Sequence, residues 1–366
     1  MIKHKRTVVQ IRTTDREFGA LLEIDGSQRS GSGTLLRMSV ALAAIVNQPL
    51  HIFKIREKRT QPGLRPQHLE AVMTAAKMCN AEIEGAKPGS RELWFTPHEI
   101  RGGEVHAEIG TAGSIPMLLL AVLPMCAYAD GPVHLRVSRG GTDVKNAPTT
   151  NYLNYVLLPL LARMGLKASV TIQKYGYYPK GMGEVAFDVE PCPKLQPIKL
   201  ERFGDIQRIR GVSVCTFLSD RRVAERQAIV ANERLKSANL QADIAVVNDT
   251  SNPIQKGSSL SLWAETDTGV LLGGDSIGEI GKPSEVVGRE AAESLLKELK
   301  AKPTVDAHLC DMLVPYMALA KGNSNYLCRL VTEHLDANIW LAQEILGRKF
   351  HLSRVDNLYR VETEKS

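Results

Sequence analysis

Thr34-Leu35-Leu36-Arg37-Met38-Ser39-Val40-Ala41-Leu42-Ala43-Ala44-Ile45-Val46, then Asn47-Gln48-Pro49, then Leu50-His51-Ile52-Phe53-Lys54-Ile55 reads as helix, turn and strand. Apolar residues recur at helical spacing in the first part and alternate with polar ones in the last. Pro62-Gly63 and Pro66 then open a second helix, Gln67 to Cys79, and a strand, Glu82-Ile83-Glu84. Pro fits the first turn of a helix, where its missing N–H has no partner to lose. The same order returns twice. A helix from Ser114 to Tyr128 turns at Asp130-Gly131-Pro132 into the strand Val133 to Val137, with a second helix from Thr149 to Met164. A third copy runs from Val305 to Ala320, turns at Lys321-Gly322-Asn323 into Tyr326 to Leu330, and ends in a helix from Glu333 to Leu346. Evenly spaced helices also occur in ordinary α/β proteins, so the repeat speaks to fold and not to function.

The spacing of the second helices is uneven. The third follows the second by about a hundred residues more than the second follows the first, which is the size of a small domain. The excess falls at Pro191 to Gly281, which has its own rhythm. Arg210 to Cys215 alternates like a strand, Arg222 to Ala238 is a helix, and strands follow at Ala242 to Val246, Ser259 to Trp263 and Gly269 to Leu272. The expected organisation is a large α/β domain over 1–190 and 282–366, with a small α/β domain inserted at 191–281.

Bulk properties exclude little. The chain has 366 residues, 43% of them hydrophobic and 23% charged, which suits a folded globular protein and excludes a disordered one. A net charge of +6 permits an anionic partner without demanding one. Six scattered cysteines form no C-x-x-C pair, so neither a zinc site nor a disulfide framework is expected, and a reducing, cytoplasmic setting fits best. The basic start Met1 to Arg6 runs into Thr7 to Arg12 with no long apolar core, unlike a signal peptide. The longest apolar run, Ile115 to Tyr128, holds Pro116 and Pro124 and is too short to span a bilayer, so a buried helix and no membrane association are expected.

Four segments carry possible chemistry. Ile24 to Gly33 leads from a strand through a Gly/Ser-rich loop into a helix, where small residues and the helix dipole suit a phosphate, although a plain connecting loop reads the same way. Arg56-Glu57-Lys58-Arg59 and Arg65-Pro66-Gln67-His68 gather guanidinium groups before a helix. Such clusters bind phosphate bidentately or simply face water. Arg139-Gly140-Gly141-Thr142-Asp143 with Ala147-Pro148 is explained by turn chemistry alone. His334, in Thr332-Glu333-His334-Leu335-Asp336-Ala337-Asn338, stands at the start of the last helix. There it is either a capping or surface residue, or a neutral imidazole placed to attack a phosphoryl group drawn to the helix N-terminus.

Taken together these segments resemble the RNA 3′-terminal phosphate cyclase family, in order and over nearly the whole chain from about Leu22 to Phe350. The matching pieces are Ile24 to Gly26, Gly31 to Arg37, Pro62-Gly63 with Gln67 to Leu69, and Ile109 to Ser114. They continue through Gly140 to Asp143, Gly176-Tyr177-Tyr178-Pro179, Val223 to Arg226, Val305 to Asp311, Met317 to Ala320, and His334. The resemblance implies an α/β (α+β) fold: three βαβαββ units like the C-terminal domain of translation initiation factor three, with a small inserted α/β domain. It implies ATP as co-substrate, Mg²⁺ or Mn²⁺, and an RNA bearing a 3′-phosphate as partner. His334 is implied as the nucleophile that carries AMP as a phosphoramidate before RNA adenylate forms and closes to a 2′,3′-cyclic phosphate. Pro148 and Tyr152 are implied on one face of the adenine and His308 on the other, with Asp311 and Met312 near the nucleotide. Arg37, Arg56, Arg59, Gln67 and His68 match positions that hold phosphate and the RNA end.

The first loop departs from the family. Members usually read Gly-Glu-Gly-Gly-Gly-Gln, the Glu helping to hold the cation, where this chain has Arg29-Ser30-Gly31-Ser32-Gly33-Thr34. Ser30 cannot supply that charge to Mg²⁺. Leu120 and Met312 also stand where glutamines are common. These changes favour an alternative, a catalytically impaired cyclase-like RNA-binding or ribosome-assembly protein, against which the retained His334 counts. A carboxyvinyl transferase is built from similar repeats but has no place for His334 or the insert.

Overall fold

The computed structural model describes residues 20–364, and the basic N-terminal stretch lies outside them. The protein is a mixed α/β structure with four sheets. The first comprises β1 (Leu22–Asp25), β2 (Leu50–Phe53), β3 (Glu82–Glu84) and β4 (Leu93–Thr96) in the order β1-β2-β4-β3, with α1 (Gly33–Val46) and α2 (Pro66–Cys79) between them in the chain. Pairing of β1 with β2 is parallel and the other two are antiparallel, so the chain runs strand, helix, strand, helix, strand, strand. The second sheet repeats that order with β5 (Gly103–Glu108), α3 (Ile115–Cys126), β6 (Val133–Gly140), a second helical segment, β7 (Ala168–Lys174) and β8 (Gly183–Val189). As expected, α3 is a buried helix, with ten of its residues inside. No helix among the described residues is long and apolar enough to cross a membrane.

That second helical segment is not the single helix expected from Thr149. It is α4 (Thr150–Tyr152), a π-turn over Leu153–Leu157, and α5 (Leu158–Arg163). Pro159 removes one N–H and crowds the preceding turn, which a wider turn relieves.

The third sheet holds β13 (Asn325–Cys328), β14 (Phe350–Val355) and β15 (Leu358–Thr363), and Lys199 bridges to Asn325 in parallel. Its helices are the short α8 (Leu309–Met312) and α9 (Val314–Leu319), then α10 (Glu333–Leu346). The expected helix from Val305 starts later because Asp306 accepts the His308 and Leu309 N–H groups, and it breaks ahead of Pro315. The tail from Val355, which had no expected structure, completes this sheet through β15.

The fourth sheet, β10-β9-β11-β12, is formed by β9 (Ile206–Thr216), β10 (Ala242–Asp249), β11 (Gly257–Thr266) and β12 (Leu271–Ile277), with α6 (Val223–Lys236) after β9. A further helix, α7 (Ser284–Ala301), packs on β11, β12 and α6. The helix that covers this sheet thus follows Gly281 in the chain. Ile198 and Leu200, ahead of β9, bond to the third-sheet segment at Ser324 and Asn325.

The fold places helix starts together. α1 packs against α2, α3 and α10. The first turns of α1, α2 and α10 all line one cavity, each contributing the positive end of a helix dipole.

Candidate active site

The cavity encloses about 820 Å³ between the first three sheets' helices and the β12–α7 segment. Arg37, Arg56, Arg59, Gln67, His68, Pro148, His308, Asp311, Met312 and His334 all line it, so ten of the eleven side chains expected at nucleotide and RNA meet in one place. Leu120 and Thr34, two of the departures, line it as well.

Tyr152 is the exception. It is 1% exposed, its hydroxyl donates to Asp306 Oδ1 at 2.6 Å, and its ring meets His308 edge-on at 6.0 Å. It supports His308 from behind and does not face the cavity. Asp306 also accepts the Gly273 N–H on β12, so Tyr152 and Asp306 tie the fourth sheet to the loop that carries His308.

His334 sits on the first turn of α10, whose N-cap Thr332 accepts the Leu335 N–H at 2.8 Å. Its Nδ1 lies 3.3 Å from Thr34 Oγ1 on the first turn of α1. Two helix N-termini therefore meet at the imidazole. Burial lowers the His334 pKa below the ordinary histidine value, and the Arg37 and Arg59 cations lower it further. The ring is consequently neutral at pH 7, as a nitrogen nucleophile must be.

Arg37 is buried, and burial beside Arg56 takes its pKa down to about 10 while leaving it charged. A buried guanidinium calls for an anion. His68 is held down to about 2, chiefly by burial and then by Arg37, Arg56 and Arg65, so it too is neutral, and its Nδ1 has no hydrogen-bond partner among the described residues. The α1 backbone must be bare to admit these groups, since a Cβ on Gly33 would collide with His68 Nε2 and Arg37. Gln67 Oε1 accepts the Ser114 N–H at 3.0 Å, which fixes its amide and leaves its NH₂ to donate. Arg56 is held by bonds to the Gln61 and Gly63 carbonyls, both 2.8 Å.

Opposite this basic wall stands one that sequence reasoning missed. Asp275, Ser276 and Ile277 from β12, with Glu279, Lys282 and Glu290, complete the cavity. Asp275 accepts the Thr149 N–H at 2.9 Å, and burial raises its pKa. Asp311 is pushed up to about 7, again mainly by burial. Asp311 was expected near the nucleotide, whereas no motif marks Asp275, Glu279 or Glu290.

Ser30 does not reach the cavity lining. Its hydroxyl pairs with Ser32 Oγ at 3.0 Å, and Ser32 in turn caps α1. Neighbouring Arg29 reaches Asp336 on α10 at 3.4 Å. The loop thus offers hydroxyls and a cation in place of a carboxylate, and no group of three or more His, Cys, Asp or Glu suited to a metal ion occurs among the described residues. The residues present do not form a protein cage for Mg²⁺ or Mn²⁺.

Residues 28–352 match the family model described as RNA 3′-terminal phosphate cyclase. A protein of that name from Pyrobaculum aerophilum is 41% identical over 345 residues, which is 94% of this chain and 98% of the relative. Others of the same name, from Pyrococcus furiosus and Methanosarcina barkeri, are 41% and 40% identical and cover 91% and 93% of this chain and 95% and 99% of their own lengths.

Proposed function

The chain belongs to the RNA 3′-terminal phosphate cyclase family, and from that premise we propose that it converts an RNA 3′-phosphate to a 2′,3′-cyclic phosphate at the expense of ATP through His334. One observation carries the reading: the His334 imidazole stands at the start of α10, 3.3 Å from Thr34 on the first turn of α1, in one cavity with the buried Arg37. Nδ1 faces Thr34, so Nε2 is the free nitrogen, and the reactive tautomer carries its proton on Nδ1 and donates it to Thr34 Oγ1.

His334 Nε2 attacks the α-phosphorus of ATP, the bond to the β-phosphate oxygen breaks, and pyrophosphate leaves. Arg37, Arg56, Arg59 and the three helix starts offset the charge on the phosphates. An oxygen of the RNA 3′-phosphate then displaces His334 from AMP. Finally the neighbouring 2′-oxygen attacks the 3′-phosphorus, loses its proton, and expels AMP. The opposite wall suits the base: His308 offers a ring face, Pro148 an apolar one, and Asp275 a carboxyl acceptor for an amino group. A divalent ion in this chain would ride on the triphosphate and water, since the loop supplies no carboxylate for it.

The same reading treats the three strand-helix sets as repeats like those of the initiation factor three C-terminal domain, with 205–302 as the inserted unit. Purified protein given ATP should make a 3′-phosphorylated oligoribonucleotide resistant to phosphatase. Phosphatase-sensitive RNA from a protein that still binds it would replace the enzyme with a binding module.

A further inference from the structure

The motif Gly176-Tyr177-Tyr178-Pro179 takes no part in the chemistry above, yet a set of hydrogen bonds mounts it beside the cavity. Gly176 O accepts the N–H groups of both Thr142 and Asp143, immediately before the loop whose Val144 to Pro148 line the cavity. On its other side the fully buried Asn252 clamps two loops: its amide donates to the Tyr175 and Gly181 carbonyls, and its Oδ1 accepts the Ile254 and Gln255 N–H groups. Lys180 N–H donates to Gln255 Oε1 at 3.1 Å.

What this bracket presents is apolar and exposed. Tyr178 is 74% exposed and Ile254 51%. Ile280, at 94%, follows Glu279 on the cavity rim, and Gly278 N–H bonds Ser258 O, two residues beyond the exposed Lys256. A strip of Ile280, Lys256, Ile254, Tyr178 and Lys180 thus leads away from the mouth. The acids along it are already engaged. Glu279 pairs with Lys145 at 3.3 Å, and Asp249 accepts from Thr216 and Ser251. Lys180 and Lys256, which pair with no carboxylate among the described residues, outweigh the single charge of Asp249.

Apolar side chains that follow one another along an exposed strip offer a surface on which a partner can dock. An aromatic face flanked by lysines is the pattern that binds single-stranded nucleic acid, with bases stacking on the ring and phosphates meeting the ammonium groups. We propose that this strip holds the nucleotides upstream of the 3′-phosphate of a single-stranded RNA, with a base stacked on Tyr178. The proposal rests on the reading of RNA as substrate and adds where its chain runs.

The test compares wild type with Tyr178→Ala and the double variant Lys180→Ala/Lys256→Ala on 3′-phosphorylated oligoribonucleotides of two lengths, a dinucleotide and one about ten nucleotides long. Affinity is read by anisotropy, and adenylylation by label from ATP without RNA. Wild type should bind the longer RNA more tightly. Tyr178→Ala should erase roughly tenfold of that advantage, a stacking contact's worth, and Tyr178→Trp should restore it. The lysine pair should flatten its salt dependence. Adenylylation should be unchanged in every variant, which separates this proposal from the reading beneath it: an unlabelled wild type sinks the latter. Equal affinity for both lengths in wild type, or a length advantage that survives Tyr178→Ala, overturns the strip.

Discussion

The two walls of the cavity differ in charge, in origin and in how they are built. One carries Arg37, Arg56, Arg59 and His334 on or before the starts of α1, α2 and α10, and every fixed dipole there points its positive end inward. The other carries Asp275, Glu279 and Glu290 from β12 and its continuation into α7, with Lys282 neutralising Glu290 at 2.5 Å. A molecule with an anionic end and an end rich in hydrogen-bond donors has one orientation in such a space. Burial first, and then the cations of the wall that attracts phosphate, disfavour a proton on the His334 imidazole.

Removing the nucleophile breaks the contrast most completely. His334→Ala should lower the rate of RNA cyclisation by about 10³-fold or more, as for other residues that carry a covalent intermediate. Arg37→Met should cost about 10- to 100-fold, the worth of one or two charge-assisted bonds to phosphate. It should also move the acid limb of the adenylylation profile. Burial and the Arg37 cation hold the His334 pKa down, so loss of the cation raises it, and activity should fade at a higher pH than in wild type. An acid limb that stays in place would mean that Arg37 does not set the charge of His334.

Ser30→Glu works from the other side by adding a carboxylate to the loop that leads into the basic wall. If the loop limits use of a divalent ion, the metal concentration for half-maximal adenylylation should fall about tenfold. An unchanged metal requirement would show that Ser30 is immaterial. Asp275→Asn should act least on rate and most on selectivity, narrowing the preference for ATP over GTP by up to about tenfold, the loss of one acceptor for an amino group. Retained preference would move base recognition elsewhere.

The basic wall was legible because its residues sit in short linear motifs at helix starts: Arg56 to Arg59, Arg65 to His68, and His334 after the cap Thr332. Helical periodicity located the scaffold under them, and α1, α2, α3 and α10 stand where it put them. The acidic wall was not legible. Asp275 reaches the cavity on β12, which Asp306, buried and bonded to Gly273, ties to the His308 loop, a contact between residues far apart in sequence. The same bond network reassigns Tyr152, which its hydroxyl anchors inward to Asp306. α7 was legible in principle, since Val287, Ala291, Leu295 and Leu299 recur at helical spacing amid the many charges of Ser284 to Ala301, and that stripe is core. The short tail strands β14 and β15 lack strong alternation, and pairing supplies what pattern does not.

The central claim is that His334, neutral and set between two helix starts, takes AMP from ATP. Incubating the protein with α-labelled ATP, digesting it, and mapping the label tests this directly. The account predicts an acid-labile, alkali-stable label on the peptide that contains His334, and none in His334→Ala. Wild type that binds ATP yet stays unlabelled, or His334→Ala labelled as strongly as wild type, would contradict it.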